Sequence, residues 1–231
     1  MVKQLSALCI SDLHDEVQCF DFLDEFLLQA KPDLLLVCGD LTTRGPLAFA
    51  EEFAEFVKSR KIKAFAVHGN MDPLPVQEFL QKKGLSIHGK SVEFGGFKFA
   101  GWGGSNPTPN GTPCEYSEEE IANGLAKLDV DEKTVVLCHT PPFGTKADTA
   151  GSGSALMPGG GHIGSRALRA FVENKRPAAL LCGHCHQSEG VEMLGATKII
   201  KAAPLMHGKA ALLQLPSLEC EFLKTKRFFE I

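Results

Sequence analysis

Short apolar runs alternate with amphipathic stretches through the first third of the chain. The runs Leu5–Ser11, Leu34–Cys38 and Ile62–His68 have the composition of buried strands. Between them, Val17–Ala30 and Pro46–Ser59 place apolar residues at helical spacing, and the second opens on its proline. Strand–helix–strand order requires crossover connections, which are right-handed and join parallel strands. The pattern therefore predicts an α/β fold built on a mostly parallel sheet.

The rest of the chain is predicted to add short strands, helices and two long loops. Ser117 and Glu120 form a capping box before a helix that runs to about Leu128. The stretches 103–113 and 141–164 are rich in Gly and Pro, and a loop as long as the second is usually functional. The last four strand candidates predict an antiparallel meander. The further candidates are strands at Leu85–His88, Ser91–Phe94, Phe97–Ala100, Thr134–Cys138, Ala178–Cys182, Gly190–Leu194, Lys198–Ala202, Ala210–Leu215 and Leu218–Thr225, and helices at Pro73–Lys83 and Ser165–Asn174.

The composition is that of a folded protein with nearly balanced charge. The 231 residues are 44% hydrophobic and 23% charged, and the formal net charge is −4. We expect one domain over residues 1–231, because neither a linker nor a repeat interrupts the chain. Mild acidity argues against nucleic acid as the main partner, and no apolar segment has the length of a membrane span or a signal-peptide core. Several of the 8 Cys lie in apolar runs, which indicates reduced thiols and a cytoplasmic protein.

Ligand-type side chains follow five of the predicted strands at the point where each strand ends. In an open α/β sheet, the crevice beyond the carboxyl ends of the strands is where ligands bind. We therefore expect two carboxylates, four imidazoles and one amide to meet at one rim. The strand-end motifs are Asp12-Leu13-His14, Gly39-Asp40, Gly69-Asn70, His139 and Gly183-His184-Cys185-His186.

This set of donors indicates a pair of metal ions. Carboxylates and imidazoles, with no required thiolate, suit divalent Mn, Fe, Ni or Zn. Seven ligands are too many for one catalytic ion with an open position, but they fit two ions about 3.5–4 Å apart that share a carboxylate. Such a pair lowers the pKa of a bridging water, so that hydroxide exists near neutral pH, and holds the phosphoryl oxygens during in-line attack. The motifs thus point to hydrolysis of a phosphate ester.

The five motifs resemble those of the calcineurin-like metallophosphoesterases, in the same order and each at a strand end. The family pattern is D-x-H, GD, GN-[HD], a lone H and GH-x-H. Similarity to the Icc-related subgroup of predicted phosphoesterases extends through residues 103–109, 117–120, 139–146 and 162–165. The resemblance implies a four-layer α/β/β/α sandwich with two mixed sheets. It also implies a first metal held by Asp12, His14 and His186, a second held by Asn70, His139 and His184, and a bridge between them at Asp40.

Met71 departs from the family pattern. Many members carry His after the GN asparagine, where the imidazole can protonate a leaving group. Loss of a positioned general acid costs roughly 10²–10⁴-fold where the leaving group needs a proton. We therefore expect either a good leaving group, as in a phosphodiester or another activated phosphate, or a replacement acid. His162 in the long loop and His68 are the candidates, and Arg44 either reaches a phosphate or remains a solvated loop residue.

Two other classes of function stay open at this point. A non-catalytic scaffold with this fold should have broken ligand sets, and none is broken here. Cys182 and Cys185 form the C-x-x-C motif of a thiol–disulfide oxidoreductase, but the residues after it do not predict the helix that would stabilise a thiolate. The stretch Gly151–Gly161 lacks the spacing of a phosphate-binding loop and is interpreted as a lid or an oligomer contact. The expected partner is a small phosphate ester, with a homo-oligomer as a further option and neither a membrane nor nucleic acid expected.

Overall fold

The computed structural model describes residues 3–152, 159–187 and 189–226. The α-helices in these ranges are α1 Gln18–Ala30, α2 Leu47–Ser59, α3 Leu74–Lys82, α4 Glu118–Leu125 and α5 Arg166–Lys175. The strands are β1 Leu5–Ile10, β2 Leu34–Cys38, β3 Lys63–Val67, β4 Lys90–Phe94, β5 Phe97–Trp102, β6 Val135–Cys138, β7 Thr149–Ser152, β8 Gly159–His162, β9 Ala179–Cys182, β10 Gly190–Leu194, β11 Thr197–Lys201, β12 Lys209–Leu215 and β13 Cys220–Lys224.

Two mixed sheets contain most of these strands. The first has the order β13-β12-β1-β2-β3, and the second has the order β10-β11-β9-β6-β5-β4. In the first sheet, β1, β2 and β3 are parallel, while β12 pairs antiparallel with β1. In the second sheet, β5, β6, β9 and β11 are parallel, with antiparallel strands at both edges. The parallel strands thus form one side of the first sheet, with β3 at its edge, and the centre of the second sheet.

The two sheets pack face to face, and helices cover their outer faces. Along β1, Leu8 and Ile10 pack against α1, α2 and α3, whereas Ala7 and Cys9 lie in the core between the sheets. Alternate residues of a strand point to opposite faces, so a strand that is covered on both sides is apolar throughout. Helices α4 and α5 cover the other face of the second sheet, where Val136 is buried against them. The expected four-layer α/β/β/α sandwich is therefore confirmed.

The first half of the chain follows the sequence prediction closely. The bounds of β2 agree, and α1, α2, β3 and α3 agree to within one residue at each end. Ser117 and Glu120 form the predicted reciprocal capping box at the start of α4. That helix ends at Leu125, three residues before the predicted Leu128. Across the described ranges, no helix is both long enough and apolar enough to cross a membrane.

Three details of the sequence prediction are wrong. The four last strands do not form one meander, because β11 joins β9 in the second sheet while β12 crosses to β1 in the first. That crossing pairs the backbone N–H and C=O groups along the free edge of β1, which periodicity cannot reveal. Residues 85–88 form only isolated bridges, Ala66 to Ser86 and His88 to Gly101. The third error is the long loop, which contains the β7–β8 hairpin.

The predicted lid or oligomer contact falls partly on residues 153–158, which lie outside the described residues, and it stays a prediction.

An aromatic cluster beneath the carboxyl ends of β3 and β5 surrounds a half-buried histidine, His88. The ring of His88 lies 4.4 Å from that of Trp102 and 4.5 Å from that of His68, measured between centroids. Its Nδ1 accepts a hydrogen bond from the Gly103 N–H at 2.9 Å, so the neutral ring carries its proton on Nε2. Burial and the Lys90 ammonium lower the pKa of His88 to about 4. Protonation would remove the acceptor and place a charge in this cluster.

His88 should make the stability of the fold depend on pH. Its folded pKa lies below the unfolded value of about 6.5, so below pH 6.5 the unfolded chain takes up a proton that the folded chain does not. We expect the free energy of unfolding to fall by about 2 kcal/mol through this group between pH 7 and 5. In His88→Asn the amide oxygen can accept the same hydrogen bond without titrating. Urea unfolding of both proteins with chelator at pH 7 and 5 measures the difference, and equal losses in the two proteins would contradict the assignment.

Candidate metal centre

The seven strand-end side chains come together at one edge of the paired sheets. They follow β1, β2, β3, β6 and β9, so each stands at the carboxyl end of a parallel strand. Two groups of possible ligand atoms result, and within each group all atoms lie within 4.8 Å of one another. The first group consists of Asp12, His14, Asp40 and His186, and the second contains Asp40, His139 and His184.

Asp40 belongs to both groups, and Asn70 extends the second. Asp40 Oδ2 lies 3.7 Å from His14 Nε2 and 3.2 Å from His139 Nε2. Asn70 Oδ1 lies 2.8 Å from His139 Nε2 on the side of the second group. The other oxygen of Asp40, Oδ1, accepts a hydrogen bond from the Met71 N–H at 2.8 Å. One oxygen of this carboxylate is therefore fixed by the backbone, and the other faces both groups.

The backbone at the site takes conformations that non-glycine residues rarely adopt. Asp12, His14, Asp40 and His184 have φ angles of 53°, 52°, 50° and 72°. Such positions cost of order 1–3 kcal/mol each and persist only where the surroundings enforce them. Here the N–H groups of Leu13 and His14 both bind the carbonyl of Asp40, at 2.8 and 3.2 Å. The first two strand ends are thus locked together, which aims their side chains at one point.

Glycine precedes Asp40 and Asn70 because the loops after β2 and β3 contact each other at these positions. A Cβ on Gly39 would lie 2.6 Å from His139 Nδ1, and a Cβ on Gly69 would lie 2.0 Å from Asp40 Oδ1. Gly39 also has a φ of 91°, which strains any other residue. The chain therefore makes a close approach at both glycines. Larger residues would push the ligand side chains apart.

Hydrogen bonds fix which nitrogen of two histidines faces the site. His139 Nδ1 donates to the Cys38 carbonyl at 2.8 Å, and His14 Nδ1 lies 2.9 Å from Thr43 Oγ1. Because a carbonyl only accepts, the bond to Cys38 leaves the Nε2 lone pair of His139 directed at the cluster, as outer hydrogen bonds to metal-binding histidines do, and His14 also turns its Nε2 toward the cluster. His14 Nε2 then lies 3.2 Å from His186 Nε2, and His139 Nε2 lies 3.2 Å from His184 Nδ1. Lone pairs that face each other at these distances repel unless a cation or a proton lies between them.

The electrostatics of the cluster show the same requirement for positive charge. Burial alone would raise the pKa of Asp12, but the imidazoles of His186, His139 and His14 hold it well below its usual range. Burial opposes a charge on His139, yet the carboxylate of Asp40 raises its pKa to about 9. Burial and His139 lower the pKa of His184 to about 3. Asp12 Oδ2 and His184 Nε2 are buried and accept no hydrogen bond from the described residues. The donor set and these two atoms fit a pair of divalent cations.

Asp72 is a buried carboxylate at the site to which the motif assigned no role. Its oxygens accept hydrogen bonds from the N–H groups of Gly69, Leu41 and Thr42 and from Thr42 Oγ1, at 2.7–3.2 Å. Burial and the neighbouring Asp40 raise the pKa of Asp72 to about 6. The side chain ties the loop after β2 to the loop after β3. An acidic residue just beyond a buried strand was the only signal for it in the sequence.

The two candidates for a replacement acid differ in their surroundings. His68 is buried, its Nε2 lies 3.3 Å from the Tyr116 hydroxyl, and burial holds its pKa well below the usual range. It belongs to the aromatic cluster. His162 is 47% exposed, and its Nδ1 lies 2.7 Å from a carboxylate oxygen of Asp148, which is fully buried. Asp148 also accepts the N–H groups of Gly144, Thr145 and Gly164, so this carboxylate holds the long loop together.

A cavity of about 470 Å³ opens beside His162. Phe143 and Arg166 line it, and the Arg166 guanidinium stacks 3.7 Å above the Phe143 ring. Asn106 joins this cavity to the ligand cluster, because its Oδ1 accepts a hydrogen bond from the hydroxyl of Thr140, next to His139, at 2.9 Å. Arg44 is an exposed loop residue whose guanidinium bonds the backbone, because its Nη2 donates to the Gly111 carbonyl at 2.9 Å.

The C-x-x-C motif has the wrong environment for thiol chemistry. Cys182 and Cys185 are both buried and reduced. Burial raises the pKa of Cys185 to about 12 and that of Cys182 well above its usual value. A thiolate, which is the reactive form, is therefore strongly disfavoured at both positions. No helix follows Cys185 in the described residues up to β10.

Comparison with known proteins agrees with this geometry. The family model for calcineurin-like phosphoesterases matches residues 5–188, which include all seven ligand candidates. The chain belongs to this family. An uncharacterized protein of Methanocaldococcus jannaschii is 34% identical over 208 residues, which cover 88% of this chain and 90% of that protein.

Two solved structures share the fold of this chain. A protein of Thermus thermophilus superposes with a TM-score of 0.75 at 18% identity, covering 95% of this chain and 98% of that one. An archaeal phosphodiesterase superposes with a TM-score of 0.57 at 13% identity, covering 96% of this chain and 100% of that one. At these identities the likeness shows that the fold is shared.

Asp40→Asn should disrupt both halves of the metal centre, because Asp40 is the residue common to the two groups. We expect the wild-type protein to retain two divalent ions per chain after dialysis against Mn²⁺, and the variant to bind at least about 100-fold more weakly. Elemental analysis and calorimetric titration measure both quantities. Asp129→Asn is the matched control, because it removes an exposed carboxylate that pairs with Lys98 away from the site. Full metal retention in Asp40→Asn would contradict the assignment.

Proposed function

We propose that this protein is a dinuclear metal-dependent phosphoesterase that hydrolyses a small phosphate ester. The observation that carries the proposal is the pair of ligand groups that share Asp40. Two divalent ions, drawn from Mn, Fe, Ni and Zn, would supply hydroxide near neutral pH and offset charge on the phosphoryl oxygens. The buried ligand set supports this function over a scaffold that has lost its metals, because all seven donors are present and face one another.

The protein's own side chains have distinct tasks in this proposal. Asp12, His14 and His186 would hold one cation, Asn70, His139 and His184 the other, and Asp40 both. The backbone bonds of Asp40 and His139 keep these side chains oriented before any ion binds. Such preorganisation avoids reorganisation during the reaction, which is the main electrostatic advantage of an enzyme site.

His162 would protonate the leaving group in place of the missing histidine at position 71. Its Nδ1–H donates to Asp148, which orients the ring and leaves Nε2 directed away from that carboxylate. The segment that carries it borders the ligand cluster, because Ile163 packs against Cys185, which lies between His184 and His186. An exposed imidazole held by a buried carboxylate has the arrangement of a general acid or base.

The cavity beside His162 would receive the leaving group. Phe143 offers an apolar wall, and the stacked guanidinium of Arg166 offers donors at its edge. A site of this kind suits a phosphodiester or another activated ester with an organic leaving group more than inorganic polyphosphate.

Hydrolysis of bis-p-nitrophenyl phosphate with Mn²⁺ tests the proposed activity. We expect the wild-type protein to release p-nitrophenol, chelation to abolish the release, and Asp40→Asn to lower kcat/KM by about 10³-fold or more. Cys182→Ser should retain the activity, since neither thiol takes part. A fully Mn²⁺-loaded protein that turns over no phosphorus ester would favour the scaffold, whereas loss of activity in Cys182→Ser without loss of metal would favour thiol chemistry.

The role of His162 predicts a dependence on the leaving group. His162→Gln should lower kcat for methyl phenyl phosphate by about 100-fold, because phenolate leaves poorly without a proton. With methyl p-nitrophenyl phosphate, whose leaving group needs no proton, kcat should change by less than about threefold. The two substrates carry the same methyl phosphoryl group and differ only in the leaving group, so each ester serves as the control for the other. Equal losses with both esters would mean that His162 is not the proton donor.

A further inference from the structure

The amide of Asn70 must present its oxygen, and not its nitrogen, to the ligand cluster. An amide oxygen can bind a cation, whereas an amide NH₂ has no lone pair to offer. Asn70 Oδ1 lies 2.8 Å from His139 Nε2, and on the opposite side Nδ2 donates to Thr112 Oγ1 at 3.0 Å. Binding a cation requires His139 Nε2 to be unprotonated, and in that form the reversed amide would donate to its lone pair. Some feature of the protein must therefore oppose the reversal.

The loop between β5 and α4 wraps around Asn70 and supplies that feature. The Cys114 N–H donates to the Asn70 carbonyl at 2.9 Å, which fixes the loop against the asparagine backbone. Arg44 fixes it from the other side, with its N–H on the Met71 carbonyl and its Nη2 on the Gly111 carbonyl, both at 2.9 Å. Thr112 lies between these two attachments, so its hydroxyl is held beside the Asn70 amide.

Glu115 determines where the single hydroxyl proton of Thr112 points. Glu115 Oε1 accepts the Thr112 hydroxyl at 2.6 Å, the Thr112 N–H at 2.8 Å and the Thr108 hydroxyl at 2.5 Å. A carboxylate only accepts hydrogen bonds, and such charge-assisted bonds are about twice as strong as neutral ones. The Thr112 proton is therefore committed to Glu115. The Thr112 oxygen can therefore only accept a hydrogen bond from Asn70.

We propose that Glu115 and Thr112 are positioning residues that set the orientation of the Asn70 amide through this one-directional chain of hydrogen bonds. If the amide were reversed, Asn70 Oδ1 would face the Thr112 oxygen, and two acceptors would meet with no proton between them. The cost of that arrangement keeps Oδ1 on the side of His139 and Asp40, ready for the second cation. The inference rests on the proposed dinuclear site, and it gives the loop at 103–113 a role in building that site.

The proposal is tested by measuring Mn²⁺ binding, with calorimetry for the affinities and electron paramagnetic resonance for the signal of a coupled ion pair. In Thr112→Val we expect the second ion to bind about 10–100-fold more weakly, as for other outer-layer partners of metal ligands, while the first ion is unaffected. Thr112→Ser keeps the hydroxyl and should restore the second ion and the coupled signal. Thr108→Val is the matched control, because Thr108 donates to the same Glu115 oxygen without contacting Asn70.

An Asn70→Asp background separates orientation from general structural damage. Either oxygen of a carboxylate can face the cation, so adding Thr112→Val to Asn70→Asp should not weaken the second ion further. A wild-type protein that binds only one ion, Thr112→Val with unchanged affinity, or an equal loss in the Asn70→Asp background would each overturn the proposal. A protein that binds two ions but hydrolyses no ester would instead overturn the proposed function and leave this test intact.

Discussion

Mutual repulsion among buried lone pairs is the constraint on which the site depends. Asp40, Asn70 and the facing histidines direct oxygen and nitrogen lone pairs at one another across 2.8–3.7 Å, in a place where little solvent can relieve them. Such an arrangement is unfavourable by itself, and a cation or a proton between the lone pairs makes it stable. The raised pKa of His139 and the lowered pKa of Asp12 are two expressions of this demand.

The fold meets this constraint with stiff connections. Two sheets bring five parallel strand ends to one edge, and left-handed residues, two glycines and the buried carboxylate of Asp72 hold the loops beyond those ends. Large apolar layers cover both faces of each sheet, and their burial offsets the free-energy cost of this local strain. Farther from the centre, Asp148 and Glu115 hold the two long loops in place, because each carboxylate accepts several hydrogen bonds from its loop.

The sequence predicts the site better than it predicts the pairing of the last four strands, β10 to β13. Strand ends and their ligands could be predicted because apolar runs are local signals, and the carboxyl-end rule converts them into a shared location. The pairing of β12 with β1 joins segments about 200 residues apart, and no local pattern encodes such a partner. Asp72, Thr112 and Glu115 were missed for a related reason. Asp72 and Thr112 act through hydrogen bonds to other loops, and Glu115 acts through Thr112, so the sequence around these residues does not reveal what they do.

Anomalous X-ray diffraction from crystals soaked in Mn²⁺ tests the central claim most directly. We expect two manganese peaks about 3.5–4 Å apart, both in contact with Asp40. Asp12, His14 and His186 should surround one peak, and Asn70, His139 and His184 the other. A single peak, or two peaks that do not share Asp40, in a protein whose seven side chains are otherwise in place would contradict it.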